Sequence, residues 1–414
     1  MTAEVTDPRR RNRLRHATRI PAHRALAVVL SVLAAVAGFG IVFVETSLNR
    51  INDSFTTQDI SALLPKVTPT ATGTPDPVDA SAGKALNILL MGSDTRIGED
   101  NQALGGGEVE GMRNDTTIVM HISADRSRIE MVSIPRDSRV RISDCKMLDG
   151  STVRGWTGKF NIAFSNGGKN GNVAEAAACV ATTLYDLLGL QIDHYAVVDM
   201  EGFTQVVDAL GGVPMCIPND VSSKKADLDL KAGAQVLDGR TALAWARART
   251  GEGLGDGSDL MRIDRQHELL TNIARKALGL NLLTDATKGT AFITAVAESL
   301  TLDPEFGDSH YLLGLAWSLR NFDTANLYMT TIPWEYPGDG SGDVVWKEDE
   351  AQEMFTAIMA DQSIIPAPEP TATGTATPAP SASAAPSSST APSVTPSPER
   401  ETEQDILNSC VITQ

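Results

Sequence analysis

Short apolar runs alternate with amphipathic segments through the middle of the chain. The runs are rich in β-branched residues, as buried strands are, and the segments repeat apolar residues at helical spacing. The pattern predicts strands at Ala85–Met91, Thr116–Ile122, Arg128–Ile134, Tyr195–Asp199, Val213–Ile217 and Tyr328–Ile332. It predicts helices at Val173–Leu188, Glu201–Leu210, Gly239–Arg247, Ser258–Leu278, Ala291–Leu300, Ser309–Leu319 and Glu348–Met359. This alternation favours an α/β fold, with helices covering both faces of a central sheet.

The N-terminus has a different pattern. Residues 25–44 form one apolar run without a charged side chain, and as a helix it would span about 30 Å, the thickness of a bilayer's hydrocarbon core. Residues 1–24 carry seven arginines against two acidic residues. Because basic flanks stay in the cytoplasm, we expect a cytoplasmic tail, one transmembrane helix and an extracytoplasmic remainder. A cleaved signal peptide is the alternative, although its apolar region is usually shorter, about 7–15 residues.

Composition divides the remainder of the chain into four parts. Residues 45–83 read as a stalk with a Pro/Thr-rich linker, and residues 84–365 as a globular domain. Residues 366–400 are low-complexity Pro/Ala/Ser/Thr sequence, and residues 401–414 form a short tail that contains Cys410. We expect the low-complexity part to be extended. It suits a wall-spanning spacer or an O-glycosylated segment, and an unmodified flexible tail is an equal alternative.

The charge balance excludes some functions. The chain has 414 residues and a net charge of -17. A non-specific nucleic-acid binder needs a basic field, so the acidic balance argues against a nucleic-acid partner. A local basic cleft inside an acidic surface remains compatible with an anionic substrate.

The four cysteines predict disulfides rather than a metal site. They have no CxxC spacing, so zinc and thioredoxin-like sites are disfavoured. Their number is even, and the predicted compartment is oxidising. Of the three possible pairings we favour Cys145 with Cys179, which share one segment, and Cys216 with Cys410, which ties the tail to the domain. A buried free thiol at Cys179 or Cys216 is the alternative.

Two aspartates at strand ends are candidate metal ligands. Asp94 follows the first predicted strand in a Gly-Ser-Asp turn, and Asp115 leads into the second. If these strands are neighbours, both carboxylates can share one hard cation such as Mg²⁺, or Mn²⁺ as a substitute, together with substrate phosphates. Turn capping is the alternative for each aspartate. The six histidines show no metal-binding spacing, and His121, inside a strand pattern, is expected to be a core or surface residue.

Arginines recur near the same strand ends and on one helix. Arg136 follows the third strand, and Arg262 and Gln266 lie one turn apart on one helix face. Guanidinium groups bind phosphate oxygens in pairs and keep their charge when partly buried. The clusters therefore predict a pyrophosphate-binding site, and solvated surface arginines are the alternative.

Seven stretches between Asn87 and Gln266 together resemble the LytR-CpsA-Psr family of Gram-positive cell-wall proteins. They are NILLMGSD, RNDTTIVMHIS, SIPRDSRV, KFNIAFSNGG, IDHYAVVDMEGFTQVVDALGGVPMCIP, LDGRTALAWARART and DLMRIDRQ. The cysteines at 145, 179 and 216 are similar to those of the actinobacterial branch. The resemblance implies a three-layer α/β/α sandwich around a mixed sheet, with a deep apolar pocket for a polyprenyl chain. From the residues alone, apolar faces that line such a pocket look like an ordinary core.

The same resemblance implies an activity. It is a Mg²⁺-dependent phosphotransfer that moves a glycopolymer from an undecaprenyl or decaprenyl pyrophosphate to a wall acceptor, usually the 6-hydroxyl of a peptidoglycan muramic acid. It implies that Asp94 and Asp115 hold the metal. The residues expected to carry catalysis are Asp94, Asp115, Arg136, Arg247 and Arg249. Those expected to bind substrate are Arg113, Lys159, Arg262 and Gln266.

The sequence leaves alternatives open for the base, the acceptor and the activity. The base for the acceptor hydroxyl is Asp137 or Asp259. The acceptor can be a wall-anchored protein instead of peptidoglycan, water can replace it and give pyrophosphate hydrolysis, or the protein can be a non-catalytic scaffold for lipid-linked polymer. A transcription regulator is disfavoured, because the sequence shows no helix-turn-helix and no basic stripe.

Overall fold

The computed structural model describes residues 45–46, 49, 52–65, 79–95, 99–105, 111–254, 259–279, 286–365, 407 and 410. The chain separates into two compact units, residues 1–50 and 51–414, and the elements below belong to the second. The predicted transmembrane helix at 25–44 and the low-complexity segment at 366–400 lie outside the described residues. None of the helices in the described ranges is both long and apolar enough to cross a membrane.

Strands are numbered in chain order. They are β1 Thr56–Thr57, β2 Leu86–Ser93, β3 Asn114–Ile122, β4 Ile129–Ile134, β5 Arg139–Arg141, β6 Cys145–Lys146, β7 Thr152–Val153, β8 Thr157–Lys159, β9 His194–Val198, β10 Val213–Ile217, β11 Val221–Ser223, β12 Leu228–Leu230, β13 Gly233–Leu237, β14 Leu300–Leu302, β15 Leu327–Thr331, β16 Trp334–Glu335 and β17 Val345–Trp346.

Helices are numbered in the same way. They are α1 Glu99–Gly105, α2 Ile162–Gly167, α3 Val173–Leu188, α4 Met200–Ala209, α5 Gly239–Arg247, α6 Asp259–Gly279, α7 Ala286–Ser299, α8 Ser309–Ser318 and α9 Glu348–Met359.

One seven-stranded sheet organises the domain, in the order β1-β14-β9-β2-β3-β4-β15. Strands β2, β3 and β4 are antiparallel neighbours, whereas β2 runs parallel to β9 and β4 runs parallel to β15. The predicted α/β class with a central mixed sheet is confirmed. The predicted strand at Val213–Ile217 forms, but it pairs with β13 in a separate two-stranded sheet. An apolar run signals burial and does not encode which strand it will pair with.

Helices pack on both faces of this sheet because its strands are apolar on both sides. On one face, Leu89 of β2 packs in a cluster with Phe164 of α2 and Phe355 of α9. On the other face, Ile88 of β2 joins a cluster with Leu315 of α8. Adjacent residues of one strand point to opposite faces, so β2 contributes to two cores at once.

Local signals explain where the helices begin and end. The α3 helix begins after Asn172, whose side-chain oxygen accepts from the N–H groups of Ala174 and Glu175, and it ends at Gly189 in a left-handed conformation. The predicted helix at residues 291–300 instead begins at Ala286 and stops at Ser299, because Leu300 opens β14 and pairs with β9.

Two disulfides cross-link the domain. Cys145 of β6 is joined to Cys179 of α3, and Cys216 of β10 is joined to Cys410, which lies 194 positions further along the chain. This is the pairing favoured by the sequence, and the described residues contain no free cysteine.

Candidate active site

A cavity of about 500 Å³ lies between the central sheet and helices α4 to α7. Strands β2, β3 and β9 form its floor. Most of its lining is apolar, with Leu90, Ile118, Phe203, Leu269 and Ile273 among the contributors. Its charged and amide lining residues are Asp94, Asp115, Asp199, Arg247, Arg249, Arg262 and Gln266. An apolar cavity with such groups in its wall suits a ligand that is part hydrocarbon and part anion.

The two candidate metal ligands are brought together by strand pairing. Asp94 directly follows β2 and Asp115 is the second residue of β3, and these strands are antiparallel neighbours. The Arg113 N–H donates to Asp94 Oδ1 at 2.7 Å, and the Asp94 N–H donates to the Arg113 carbonyl at 2.8 Å. The condition on which the metal prediction depends, adjacency of the two strands, is therefore met.

A row of alternating charges runs from the cavity wall to the surface. Arg136 Nη1 donates to Asp115 Oδ1 at 2.6 Å, and Arg136 Nε donates to Asp137 Oδ2 at 3.3 Å. Lys159 Nζ donates to Asp137 Oδ1 at 2.7 Å and lies 3.4 Å from Asp343 Oδ1. Arg136 and Lys159 thus reach the cavity through Asp115 and are not among its described lining residues.

The surroundings of Asp137 make it a weak base. Burial acts to raise the pKa of its carboxyl, but the hydrogen bond from Lys159 and the charge of Arg136 outweigh burial and hold the pKa below its usual range. The hydrogen bond to Asp137 in turn raises the pKa of Lys159, which stays protonated. A carboxylate held between two cations accepts a proton poorly. The side chain of Asp259, the other candidate base, lies outside the described set.

Four of the predicted phosphate-binding residues line the cavity from α5, α6 and the segment after α5. Arg247 and Arg249 are exposed at the C-terminal end of α5, and Arg247 Nη1 donates to the Leu104 carbonyl of α1 at 2.6 Å. Arg262 of α6 is only 4% exposed, and Gln266 lies one turn further on. The i, i+4 spacing does place both on the cavity face of α6.

Arg113 occupies a different place from the other arginines. Its side chain is exposed and is not among the described residues that line the cavity. Its main-chain N–H is what reaches the site, through the bond to Asp94. The predicted substrate-binding role of its side chain therefore gains no support from its position.

Sequence reasoning missed two polar residues beside the cavity. Asp199 lines the cavity and caps α4, where its Oδ1 accepts from the Gly202 N–H at 2.8 Å. Asn101 of α1 is 2% exposed and donates from Nδ2 to Asp199 Oδ2 at 2.9 Å. An aspartate before a helix is a recognisable cap signal, whereas nothing in the sequence pairs Asn101 with a residue 98 positions away.

Oxygen atoms are the metal ligands that this site offers. The carboxylates of Asp94 and Asp115 face one cavity, and oxygen donors suit Mg²⁺ or Mn²⁺ rather than Zn²⁺. Within the described ranges, no group of three or more His, Cys, Asp or Glu side chains is placed to hold a metal ion.

The sequence matches the profile of the LytR_cpsA_psr family over residues 49–360. Cell wall biosynthesis protein LcpA of Corynebacterium glutamicum is 30% identical over 313 residues, which are 70% of this chain and 58% of LcpA. The polyisoprenyl-teichoic acid–peptidoglycan teichoic acid transferase TagU of Halalkalibacterium halodurans is 33% identical over 226 residues, which are 54% of this chain and 63% of TagU. The chain thus spans less than two thirds of the length of either relative.

A solved structure shares the fold. The crystal structure of Bacillus subtilis TagV superposes with a TM-score of 0.50 and 23% sequence identity, covering 67% of this chain and 97% of TagV. The central mixed sheet and its helices are therefore those of a known architecture.

Proposed function

The chain belongs to the LytR-CpsA-Psr family, and we propose that it transfers a glycopolymer from a polyprenyl-pyrophosphate carrier to peptidoglycan through a phosphodiester bond. The relative named above as a transferase, TagU, supports the reaction class. The observation that carries the proposal is the cavity, because one continuous lining combines apolar walls with Asp94, Asp115 and the arginines of α5 and α6. A polyprenyl tail requires the first of these features, and a pyrophosphate requires the second.

In this proposal Asp94 and Asp115 are the residues that would hold Mg²⁺. The ion, when bound, supplies positive charge to phosphate oxygens as a Lewis acid. The chain's own groups do the remaining work. Arg247, Arg249 and Arg262 bind the pyrophosphate, and the apolar walls hold the lipid in one orientation.

The transfer itself asks for positioning and charge neutralisation. The acceptor hydroxyl oxygen attacks the phosphorus that bears the glycan and forms a new P–O bond. The bond from that phosphorus to the bridging oxygen breaks, and polyprenyl phosphate leaves. Asp137 is already held by two cations, so the hydroxyl proton passes to Asp259, the other candidate base, or to solvent. Arginine side chains balance the charge that grows on the leaving phosphate.

We further propose that the domain works outside the cytoplasmic membrane, anchored by the predicted helix at 25–44. Two disulfides support an oxidising compartment, because cytosolic thiols are kept reduced. The partners in this proposal are the membrane-borne lipid and the cell wall.

The proposal is tested with full-length protein in detergent, a synthetic polyprenyl-pyrophosphate glycan and isolated peptidoglycan. We expect Mg²⁺-dependent appearance of glycan on peptidoglycan, with release of polyprenyl phosphate in equal amount. Phosphate release that does not need peptidoglycan would point to hydrolysis, and labelled protein in a whole-wall extract would point to a protein acceptor. Binding without turnover would leave a scaffold. A deletion strain should lack the corresponding glycopolymer in its wall.

A further inference from the structure

Two side chains of α6 hold the main chain from which Arg247 and Arg249 project. Gln266 Nε2 donates to the Ala246 carbonyl at 2.9 Å, and Arg265 Nη2 donates to the Ala248 carbonyl at 2.5 Å. Arg265 Nη1 also donates to the Leu254 carbonyl at 3.0 Å. The bonded carbonyls of residues 246 and 248 flank Arg247, and the second belongs to the peptide unit that leads into Arg249.

The chain needs such support at this point because α5 ends there. The Ala248 N–H makes the final helical bond, to the Ala244 carbonyl at 2.9 Å, and Ala248 itself has extended backbone angles. The last carbonyls of a helix have no partner within it. Arg265 supplies one from outside, so the backbone between Arg247 and Arg249 is fixed by α6 as well as by α5.

The guanidinium of Arg265 is suited to this role. Its carbon lies 5.6 Å from the centre of the Trp245 ring, which leaves its N–H groups directed at the two carbonyls. Its fork can donate to two acceptors at once, which a lysine ammonium on a flexible stem does less well. Arg265 lies outside the set of described residues that line the cavity, so it is not itself a ligand.

We propose that Arg265 is a positioning residue that sets the spacing of Arg247 and Arg249 and thereby makes the site prefer a pyrophosphate to a monophosphate. This rests on the proposed function, since it concerns recognition of the same lipid head group. Two phosphates require two guanidinium groups at a fixed separation, whereas one phosphate can be bound by either arginine alone.

The test measures binding of geranylgeranyl pyrophosphate, geranylgeranyl monophosphate and geranylgeraniol to full-length protein in detergent with Mg²⁺. For Arg265→Lys we expect the pyrophosphate to bind about 10-fold more weakly, the size of one misplaced charge-assisted hydrogen bond. We expect the monophosphate and the alcohol to change by less than about twofold. The preference for pyrophosphate should therefore shrink.

Arg320→Lys is the matched control. Arg320 also lies over a tryptophan ring, that of Trp317 at 4.3 Å, and donates to a main-chain carbonyl, but it is not among the described residues that line the cavity. This variant should bind all three probes as the wild type does. If Arg265→Lys does not fold, Arg265→Gln repeats the measurement, because glutamine can still donate to one of the two carbonyls.

The outcomes separate this inference from the function on which it rests. Wild-type protein that binds pyrophosphate and alcohol equally would overturn the proposed function, and the positioning role with it. A wild-type preference for pyrophosphate that persists unchanged in Arg265→Lys and Arg265→Gln would overturn the positioning role alone. Equal weakening of all three probes would also overturn it, since a purely structural residue has that effect.

Discussion

The two ends of β3 carry similar chemistry and serve different purposes. At its start, the side chain of Asp115 is 39% exposed, lines the cavity and forms an ion pair with Arg136. Near its other end His121 is 1% exposed, with Nδ1 2.8 Å from Asn87 Oδ1 and Nε2 3.1 Å from Asp361 Oδ1. The first end, which we call the open end, presents charged side chains to the cavity. The second, which we call the closed end, uses buried polar side chains to hold parts of the domain together.

The closed end fastens the last described part of the domain to the sheet. Arg128 Nη2 donates to Asp361 Oδ1 at 3.0 Å. Glu130 is fully buried, and its Oε1 accepts from the Ser363 hydroxyl at 2.8 Å and from the Ile364 N–H at 2.9 Å. Of the two places expected for His121, core or surface, the structure shows the core. Polar residues at a strand end thus indicate a site only where a cavity adjoins them.

The largest expected effect belongs to the open end. Replacing both proposed metal ligands, Asp94→Asn with Asp115→Asn, should lower polymer transfer at least about 1,000-fold, or about 4 kcal/mol, because it removes two charges and keeps the shape. The melting temperature should change little, since both side chains are partly exposed. Rates are measured beside wild-type protein in excess chelator, which should be equally inactive. Full activity in chelator would refute the proposed metal role of Asp94 and Asp115. It would also refute the functional role of the open end of β3.

Arg136 should have the next largest effect. Arg136→Ala removes a cation that is held between Asp115 and Asp137, and we expect transfer to fall about 30- to 1,000-fold. Arg136→Lys should also fail, because lysine cannot reach both carboxylates with a fork. The control is Arg139→Ala, whose ion pair with Asp339 is exposed. Near-normal transfer by a folded Arg136→Ala protein would show that Arg136 does not contribute to the reaction.

Substitutions at the closed end should lower the stability of the domain and leave its activity unchanged. Asp361→Asn weakens the contacts to His121 and Arg128, and we expect the free energy of unfolding to fall by about 1–3 kcal/mol. Transfer at a temperature where the variant is folded should be unchanged. Asp339→Asn at an exposed ion pair is the control and should lower the free energy of unfolding less than Asp361→Asn does. A loss of activity without a loss of stability in Asp361→Asn would break the contrast between the ends.

The smallest effect concerns pH. Because the pKa of Asp137 is lowered in the folded protein, its ionised form adds stability above the ordinary Asp pKa, and this stability is lost as pH falls through the lower folded value. Asp137→Asn should therefore be less stable than the wild type at neutral pH, and the gap should close in acid. Denaturant unfolding across acidic pH measures this. If the difference in free energy of unfolding between the wild type and Asp137→Asn does not change with pH, the charge of the Asp137 carboxylate does not stabilise the fold.

The central strands could be predicted because each is a continuous apolar run, buried on both faces. The short strands β5 to β8 could not, since two or three residues show no periodicity. The helix at Ile162–Gly167 is equally hard to predict, because its six residues complete fewer than two helical turns. Boundaries shifted where tertiary pairing took over, as at Leu300, which the apolar pattern assigns to a helix and pairing with Val198 assigns to a strand.

The sequence predicts which site residues lie together where neighbouring strands or the spacing along one helix bring them together. Asp94 and Asp115 follow from two neighbouring strands, and Arg262 with Gln266 from helical spacing. The bonds of Asp137 to Lys159 and of Asn101 to Asp199 join residues of separate segments, 22 and 98 positions apart, and a single sequence carries no record of such contacts. Arg265 could not be distinguished from its neighbours, because its role lies in which carbonyls it reaches.

The bond between Cys216 and Cys410 also changes what one cut in the chain can do. It closes a covalent ring that contains α5 to α9 and the low-complexity residues 366–400. Hydrolysis of a single peptide bond anywhere in that ring opens it into a branched chain of unchanged covalent mass apart from one water, and no piece departs. A protease that cuts once in the Pro/Ala/Ser/Thr segment therefore releases nothing, and the two pieces separate on a gel only after reduction.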